Sequence, residues 1–322
     1  MDFLGQRMPY VTAFSKALGT GMMISADSPI GDESRSAMES LIEDCEHVLS
    51  RFRNDSLIAA IGKAEHGGSF DFPDWCAPLF DLYDALFSAT SGAIDPCVGE
   101  DLIRLGYDAS LSFTVTQDAP EHLGALRGRA VWGRDVTRHG TTLVTHEPVQ
   151  LDFGACGKGY LVDLLGRMLQ SSQFVIDAGG DLLIHAEQPI SIALEDPEDS
   201  SRAIGVAHIV NGALCASAPS RRHWNVAVNE RTQIAIHHLL NAIDGLPAQQ
   251  TEASWAYVPA NATPDIARDY PAAVADGLAT ALFVSDATQL QRTFDFAYAT
   301  LNESRQIAAS RNFPAELFLR SA

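Results

Sequence analysis

The order of apolar patterns along the chain constrains its fold more than any single motif does. Apolar residues at three-and-four spacing predict amphipathic helices over residues 36–52, over residues 75–88 and after Gly157, because this spacing places them on one helical face. Shorter apolar segments that end at turn residues predict strands. These strands are expected at residues 16–26, 129–132, 142–145, 149–153, 173–176, 190–194, 203–210, 224–228, 233–240 and 253–258. Strands and helices occur in blocks without regular βαβ alternation, which predicts an α+β fold.

The chain is long enough for one large core or for two lobes. With 322 residues, of which 46% are hydrophobic, it can bury a sizeable apolar interior. The polar loop 259–270 is too short to be a domain linker, so we expect a single domain over residues 1–322. A last pair of helices is predicted over residues 277–284 and 287–299, which would make the C-terminal segment 286–322 helical.

The charge balance argues against some classes of partner. The chain carries 22 basic and 41 acidic residues, a net charge of −19, which repels nucleic-acid phosphates and anionic membranes. It has no apolar run near the ~18 residues that cross a bilayer. Its first residues also lack the pattern of a secretory signal. We therefore expect a cytoplasmic protein that has neither nucleic acid nor a membrane as a partner.

The segment from Asp152 to Asp163 is the most informative motif. It reads as an apolar strand, then a turn with Gly154, Gly157 and Lys158, then a helix. Glycines let the backbone approach a ligand closely, and a helix N-terminus presents free N–H groups to a phosphate. The spacing matches neither a Walker A loop nor GxGxxG. The residues alone leave two interpretations open, an anion-binding turn and a plain strand–helix turn.

Two further groups of side chains suggest chemistry. Asp276 and Thr280 are four residues apart on a predicted helix, so they present a carboxylate and a hydroxyl on one face. Such hard oxygen ligands suit Mg²⁺, although an aspartate that merely caps a helix would give the same pattern. His237 and His238 follow each other near the end of a predicted strand, where neighbouring side chains point to opposite faces. At most one of the two histidines can therefore face a site.

Taken in order along the chain, several segments resemble motifs of the ApbE family, the FAD:protein FMN transferases. They are Leu18-Gly19-Thr20, residues 49–56 (LSRFRNDS), residues 91–96 (SGAIDP), residues 152–163 (DFGACGKGYLVD), Gly179-Gly180-Asp181 and residues 276–280 (DGLAT). The fourth is similar to the family's D-L-G-x-x-A/G-K-G-Y-x-x-D, and the last is similar to its D-A-L-A-T. The landmarks span about residues 16–285, and their common order carries the resemblance.

The resemblance implies an ApbE-like α+β fold of two lobes, with a site for FAD and Mg²⁺ between them. Asp276, Thr280 and the backbone carbonyl of Gly157 would bind the Mg²⁺ ion on the FAD pyrophosphate. The residues that would bind FAD, the substrate, are Leu18, Phe52, Ala93, Asp95, Gly154, Lys158, Tyr160, Gly179, Gly180, Asp181 and Ser217. His238 matches the histidine of the family's H-x-x-D-P-x-T-G and would be the catalytic residue. The implied reaction transfers FMN to a threonine or serine hydroxyl of an acceptor flavoprotein and releases AMP.

The chain departs from the family pattern on the expected acceptor side. The family's H-x-x-D-P-x-T-G reads H-L-L-N-A-I-D-G from His238 to Gly245, and its T-S-G reads A-S-A around Ser217. FAD and Mg²⁺ binding are therefore better supported than transfer to a protein. Two alternatives stay open: a Mg²⁺-dependent FAD pyrophosphatase that uses water as the acceptor, and a non-catalytic FAD-binding protein.

Overall fold

The computed structural model describes residues 3–229 and 232–318 and confirms a mixed α+β fold. Its helices are α1 (Phe3–Arg7), α2 (Asp32–Leu49), α3 (Leu57–Lys63), α4 (Ala77–Ala89), α5 (Gly99–Arg104), α6 (Ala119–His122), α7 (Gly157–Gly166), α8 (Asp265–Asp269), α9 (Pro271–Ala281) and α10 (Ala287–Leu290). Its strands are β1 (Tyr10–Ala17), β2 (Thr20–Ala26), β3 (Gly68–Asp71), β4 (Val136–His139), β5 (Thr142–Thr145), β6 (Phe174–Asp177), β7 (Asp181–Asp196), β8 (Asp199–Ser217), β9 (His223–Asn229), β10 (Thr232–His237), β11 (Leu240–Asn241), β12 (Leu246–Pro247), β13 (Thr251–Pro259), β14 (Ala297–Asn302), β15 (Ile307–Ala309) and β16 (Ala315–Leu317). Within the described ranges, no helix has the length and apolar character that a membrane span requires.

Within the described residues, a nine-stranded antiparallel sheet forms the centre of the molecule. Its strands are hydrogen-bonded in the order β1-β2-β6-β7-β8-β13-β14-β15, and β16 pairs with the part of β8 that β13 leaves uncovered. The long strands β7 and β8 form a hairpin whose register runs from Asp181↔Cys215 to Asp196↔Asp199. Three smaller sheets are also present among the described residues. One has three strands in the order β3-β5-β4, and the other two are the pairs β9–β10 and β11–β12. Because neighbouring strands of the large sheet are antiparallel, short turns can connect them.

Helices α2, α4, α7 and α9 pack on one face of the sheet and form the main hydrophobic core with it. Residues of β8 alternate between the two faces, as strand geometry requires. Ala213 and Cys215 pack against the helices, whereas Leu214 packs on the opposite face. A second hydrophobic cluster covers that opposite face and includes Trp255 and Phe313. The helical side of β8 therefore faces α7 and α9.

Helices α7 and α9 approach each other closely and are tied by a carboxylate. A Cβ atom at Gly159 would lie 2.2 Å from the carbonyl oxygen of Ala272, so only glycine permits this approach. From α7, the buried Asp163 accepts hydrogen bonds from the N–H groups of Ala272 and Ala273 at 3.1 and 2.8 Å. These N–H groups lie in the first turn of α9, where they have no partner within the helix. The glycine-rich motif thus positions α9 as well as α7.

The predicted C-terminal helix is wrong. Helix α10 ends at Leu290, and Ala297–Asn302 forms strand β14, so the helix predicted over residues 287–299 does not continue. Strand β14 lies between β13 and β15, and alternate residues are buried. Hydrogen bonding to β13 and β15 therefore makes this segment a strand, even though its apolar pattern favours a helix. The described part of segment 286–322 carries β14, β15 and β16, while residues 319–322 lie outside the described residues.

Two predicted strands are loops. Residues 129–132 contribute only an isolated bridge between Trp132 and Val136, and residues 149–153 belong to no strand. Alternate residues of the second segment are buried in the core. Among the described residues, no strand pairs with this segment, so it remains a loop. Its alternating apolar side chains anchor the loop in the core.

Replacing Gly159 with alanine should destabilise the protein, because the added methyl group would meet the Ala272 carbonyl and push α7 away from α9. Overpacking of this kind costs about 1–3 kcal/mol. Gly157 offers a matched control in the same helix, since nothing lies within 4 Å of a Cβ atom at that position. Urea unfolding should show a lower midpoint for Gly159→Ala and an unchanged or slightly higher midpoint for Gly157→Ala. Equal midpoints for the two variants would contradict the close approach of the helices.

Candidate functional site

Lys158 lies between two buried carboxylates where three elements of the fold meet. It is the second residue of α7, Asp181 is the first residue of β7, and Asp276 lies in α9. The Lys158 Nζ atom is 2.6 Å from Asp181 Oδ2 and 3.1 and 3.2 Å from the two carboxylate oxygens of Asp276. Asp276 Oδ2 also accepts the N–H of Gly159 at 3.1 Å. Both carboxylates are almost fully buried, whereas a third of the Lys158 side chain is exposed. A ligand would therefore reach the lysine first.

This cluster holds two acidic groups against one ammonium, which changes their ionisation. Burial and the neighbouring Asp181 raise the pKa of Asp276, and Lys158 opposes that shift. Burial by itself would lower the pKa of Lys158, but the two carboxylates outweigh burial and raise it, so Lys158 is protonated at neutral pH. Asp181 Oδ1 is buried without a hydrogen-bond partner among the described residues. The cluster can therefore accept a further donor or cation.

Two hydroxyl groups lie next to the carboxylates. Thr280 follows Asp276 by one turn of α9, and its Oγ1 lies 3.4 Å from Ser217 Oγ at the end of β8. Ser217 points toward the helices because it is two residues from Cys215 on the same strand face. Cys215 in turn pairs with Asp181 across the β7–β8 hairpin. Hydroxyl and carboxylate oxygens are thus gathered along one side of α9.

Two hairpin turns that the sequence predicts to bind FAD lie against each other. In the β1–β2 turn, Leu18 and Gly19 have φ angles of 49° and 79°, and the first of these is strained for a leucine. In the turn before β7, Gly179 and Gly180 have φ angles of 70° and 104°. A Cβ atom at Gly179 would lie 2.7 Å from Thr20 Oγ1. The β1–β2 turn therefore lies beside the turn that leads directly into the buried carboxylate of β7.

His238 is half-buried and is held in one tautomer. Its backbone N–H and its Nδ1 both lie near the carbonyl oxygen of Arg222, at 3.4 and 3.1 Å. A carbonyl only accepts hydrogen bonds, so Nδ1 of the neutral ring carries the proton and Nε2 keeps its lone pair. Nε2 makes no hydrogen bond within the part of the chain that the structure describes. Burial lowers the pKa of His238 to about 4, so the ring is neutral at pH 7 and Nε2 can accept a proton.

Two observations connect His238 with the lysine cluster. Arg222, whose carbonyl holds His238, donates from Nη2 to the carbonyl oxygen of Gly19 at 3.4 Å. The positive charge of Lys158 also contributes to the low pKa of His238. The imidazole, the β1–β2 turn and the ammonium thus belong to one neighbourhood.

His237 has a different environment from His238. It is the last residue of β10, whereas His238 follows the strand, so the strand predicted over residues 233–240 ends earlier than expected. Its Nε2 donates to the carbonyl of Ala248 at 2.9 Å, and its Nδ1 accepts the N–H of Leu239 at 3.3 Å. Both ring nitrogens are therefore used to hold the adjoining turn. His237 uses both ring nitrogens in hydrogen bonds, whereas Nε2 of His238 has no hydrogen-bond partner among the described residues.

Tyr160, which the sequence predicts to bind FAD, lies in the core. Its hydroxyl donates to the carbonyl oxygen of Trp75, and its ring centre is 5.2 Å from that of Tyr270. Only 1% of the residue is exposed. It therefore packs α7 against the core and presents no surface to a ligand in this structure.

Ala93 and Asp95 are also buried, and they belong to a network that sequence reasoning missed. Arg129, itself fully buried, pairs with Asp95 at 3.4 Å and with Asp101 at 2.8 Å. Its Nη2 donates to the carbonyl of Ala242 at 2.7 Å, and the N–H of Ala242 donates to the carbonyl of Ala93 at 3.1 Å. The network therefore supports the turn that follows His238. The sequence signal for this network was Arg129 directly before the apolar residues Ala-Val-Trp. An arginine in such a segment is expected to be buried, and a buried arginine needs acidic partners.

The remaining predicted residues lie at the edge of the site. Gly154 is exposed, and its N–H donates to Asp152 Oδ1 at 2.6 Å. Gly157 begins α7 and has free space beside its Cα atom. Phe52 is 42% exposed and covers the guanidinium of Arg51, to which the sequence analysis assigned no role. An arginine on each side of the expected FAD-binding residue Phe52 was the available signal, and only the structure distinguishes the buried Arg51 from Arg53.

The profile of the ApbE family matches residues 18–300, which is most of the chain. The chain belongs to the ApbE family. A curated relative, the FAD:protein FMN transferase of Treponema pallidum, is 27% identical over a match that covers 76% of this chain and 69% of the relative.

Solved structures of ApbE proteins share the fold. The ApbE protein of Thermotoga maritima superposes with a TM-score of 0.77 at 20% identity, over 95% of this chain and 99% of the other. The flavin transferase ApbE of Vibrio cholerae superposes with a TM-score of 0.72 at 17% identity, over 94% and 98% of the two chains. The similarity therefore extends over nearly the full length of both chains.

The positions at which this chain departs from the ApbE motif lie in a tight turn between β11 and β12. Asn241 Oδ1 accepts the N–H of Ile243 at 3.0 Å, and Asp244 Oδ1 accepts the N–H of Leu246 at 3.0 Å. Asn and Asp side chains commonly stabilise turns in this way. The amide oxygen of Asn241 therefore stabilises this turn at the position where the ApbE motif has an aspartate.

Proposed function

We propose that this chain transfers the FMN part of FAD to a threonine or serine hydroxyl of an acceptor flavoprotein, with Mg²⁺ as its cofactor and AMP as the second product. The observation that carries the proposal is the Asp181–Lys158–Asp276 cluster at the start of α7, in one neighbourhood with the free Nε2 of His238. A phosphate-binding cation beside a neutral base suits transfer of a phosphoryl-linked group. Membership of the ApbE family and the name of the Treponema relative support the same reaction.

The donor atoms of the cluster fit Mg²⁺, which prefers hard oxygen ligands and keeps several of its waters. Asp276, Thr280 and the backbone carbonyl of Gly157 would hold the ion. A cation already lies at this position, since the Lys158 ammonium contacts both carboxylates at 2.6–3.2 Å, and Asp181 Oδ1 has no partner among the described residues. No three His, Cys, Asp or Glu side chains gather as a metal site in the described ranges, so the other ligands would be water and FAD phosphate oxygens.

Lys158 and His238 have complementary tasks in this reaction. Lys158 keeps Asp181 as its partner when Asp276 binds Mg²⁺, and its remaining N–H donors can then bind a phosphate oxygen of FAD. Bound Mg²⁺ supplies Lewis acidity that withdraws charge from the phosphate oxygens. Nε2 of His238 accepts the proton of the acceptor hydroxyl while that oxygen attacks the phosphorus on the FMN side. A new P–O bond forms, the bond from this phosphorus to the bridging oxygen breaks, and AMP leaves with the bonding electrons.

One observation favours a second candidate function, that of an FAD pyrophosphatase. His238 is only half-buried, so water can reach Nε2, and the acceptor-side motif differs from the family pattern. Water would then take the place of the acceptor hydroxyl, and the products would be free FMN and AMP. The binding of FAD and Mg²⁺ would be the same in both reactions.

The proposal is tested by incubating the protein with FAD and Mg²⁺, with and without a candidate acceptor flavoprotein. We expect chromatography to show AMP, and mass spectrometry to show an added FMN mass on a threonine or serine of the acceptor. A chelator should suppress both. Free FMN with an unmodified acceptor would favour the pyrophosphatase, and intact FAD after long incubation would contradict both reactions. Release of adenosine or riboflavin would mean that the wrong bond has been assigned.

Asp276 should matter more for Mg²⁺-dependent turnover than Thr280, because a carboxylate brings a full charge to a hard cation and a hydroxyl brings only a dipole. Asp276→Asn preserves the shape and an acceptor for the Gly159 N–H, yet it should abolish turnover. Thr280→Val should weaken turnover and raise the Mg²⁺ concentration that gives half of the maximal rate. Asp286→Asn, which changes an exposed cap of α10, is the control and should leave turnover unchanged. Wild-type turnover in Asp276→Asn would rule out this ligand.

His238→Ala should keep FAD and Mg²⁺ binding but lose on the order of 10²–10⁴ in rate, which is the usual contribution of a positioned general base. His237→Ala is the matched control, because the same ring is removed from the adjacent residue. It should lower thermal stability through the lost contacts with Ala248 and Leu239 and leave the rate per folded molecule unchanged. Single-turnover rates and FAD affinities of the two variants decide the matter. Equal rates would remove His238 from the mechanism.

A further inference from the structure

We propose that Arg51 recognises the isoalloxazine ring of FAD, by donating a hydrogen bond from Nη2 to a carbonyl oxygen on the pyrimidine edge of the ring. The proposal rests on the proposed function and deepens it, because it names the residue that distinguishes the flavin half of the substrate from the adenine half. Neither the metal cluster nor the glycine-rich turn supplies this distinction, since both address the pyrophosphate.

Arg51 is buried, and one of its three guanidinium nitrogens has no hydrogen-bond partner within the described part of the chain. Nε donates to Asp152 Oδ2, and Nη1 donates to the carbonyl oxygen of Tyr107. The guanidinium carbon lies 4.2 Å from the ring centre of Phe52 and 4.6 Å from that of Tyr107. Only 7% of the side chain is exposed, and Nη2 is buried without a hydrogen-bond partner among the described residues. A buried N–H group without an acceptor is costly, so an acceptor that reaches Nη2 is stabilised.

The surroundings of Arg51 indicate the chemistry of that acceptor. Asp152 neutralises the guanidinium charge, so a neutral carbonyl oxygen is better matched to Nη2 than a second anion is. Phe52 lies over the guanidinium and is 42% exposed, which gives a planar aromatic ligand a face to stack on. Among the described residues, its ring neighbour is Tyr107, at 5.3 Å and edge-on. Because Phe52 is partly exposed, rotation of its ring would let the edge of a ligand reach Nη2.

Arg51 also lies on the correct side of the site for the flavin half. Arg51 Nη1 donates to the carbonyl of Tyr107, whose ring stacks on that of Trp224 with the ring centres 5.7 Å apart. Trp224 pairs with Ile236 of β10, which is two residues before His238. Arg51 is therefore near the proposed base, which must lie close to the FMN phosphate that the acceptor hydroxyl attacks.

The test compares the binding of two overlapping parts of FAD in the presence of Mg²⁺: FMN, which carries the flavin and one phosphate, and ADP, which carries the adenosine and the pyrophosphate. In Arg51→Lys the charge is retained and the forked donor is lost. We expect FMN to bind about tenfold more weakly or worse, and ADP to bind as it does to the wild type. With FAD as the substrate, KM should rise and kcat should stay unchanged, because the contact is made equally before and during the reaction.

Arg53→Lys is the matched control, two residues along the chain. Arg53 pairs at the surface with Glu43 and Asp55, so its replacement should alter neither affinity. An equal loss of FMN and ADP affinity in Arg51→Lys would overturn the proposal, because Arg51 would then act through the fold or on the phosphates. Unchanged affinity for both ligands would also overturn it.

A second measurement uses the unaltered protein, which keeps the test valid if Arg51→Lys does not fold. In 2-thio-FMN and 4-thio-FMN, sulfur replaces one carbonyl oxygen of the ring and is a weaker acceptor. At least one of the two should bind the wild type about tenfold more weakly than FMN does. FMN-like binding of both analogues would contradict the proposal. Failure of the proposed function would look different, since no FMN would then be added to an acceptor protein, while the FMN and ADP affinities of Arg51→Lys could still differ as expected.

Discussion

The contact of Lys158 with Asp181 and Asp276 is the interaction on which the rest of the site depends. It joins the start of α7, the start of β7 and the middle of α9 through one ammonium group. Removing one partner of a fully buried ion pair costs about 3–5 kcal/mol, because an uncompensated charge remains. Partial exposure of the Lys158 side chain reduces that cost here. Among the described residues, Asp181 Oδ1 has no hydrogen-bond partner, so the cluster supports the fold and remains able to bind a ligand.

Glycines make this cluster possible, because they let the helices that carry its charges come close. Gly159 follows Lys158 and faces the backbone of α9. Gly277 follows Asp276, and a Cβ atom there would lie 2.7 Å from Leu86 Cδ1 and 2.8 Å from Cys156 Sγ. The residues that carry charge and the residues that allow close packing are therefore sequence neighbours. A substitution that moves either helix would change the distances within the charge cluster even if no charged residue were altered.

The His238 side of the molecule is organised by hydrogen bonds and by a buried charge network. The carbonyl of Arg222 holds His238 in one tautomer, and Arg129 holds the following turn through Ala242. Within that turn the side chain of Asn241 accepts a backbone N–H. The departures from the ApbE motif thus leave the local turn formed. What they change is the set of side chains that this turn presents after His238.

The sequence by itself determined the α+β class, the helices α2, α4 and α7, and the family, because these depend on local periodicity and on motif order. Only the tertiary structure decided that β10 ends at His237 and that His238 follows it in a bend. The sequence also placed Lys158, Asp181 and Asp276 in separate motifs. Only the tertiary structure decided that these three residues meet, because their contact joins positions that are 23 and 118 residues apart in the chain. Tertiary pairing likewise turned residues 297–302 into strand β14, and tertiary burial placed Tyr160 and Asp95 in the core. The environment of Arg51 is likewise decided by the tertiary structure. Its Nη2 atom is buried without a hydrogen-bond partner among the described residues, and the amino-acid sequence gives no sign of this.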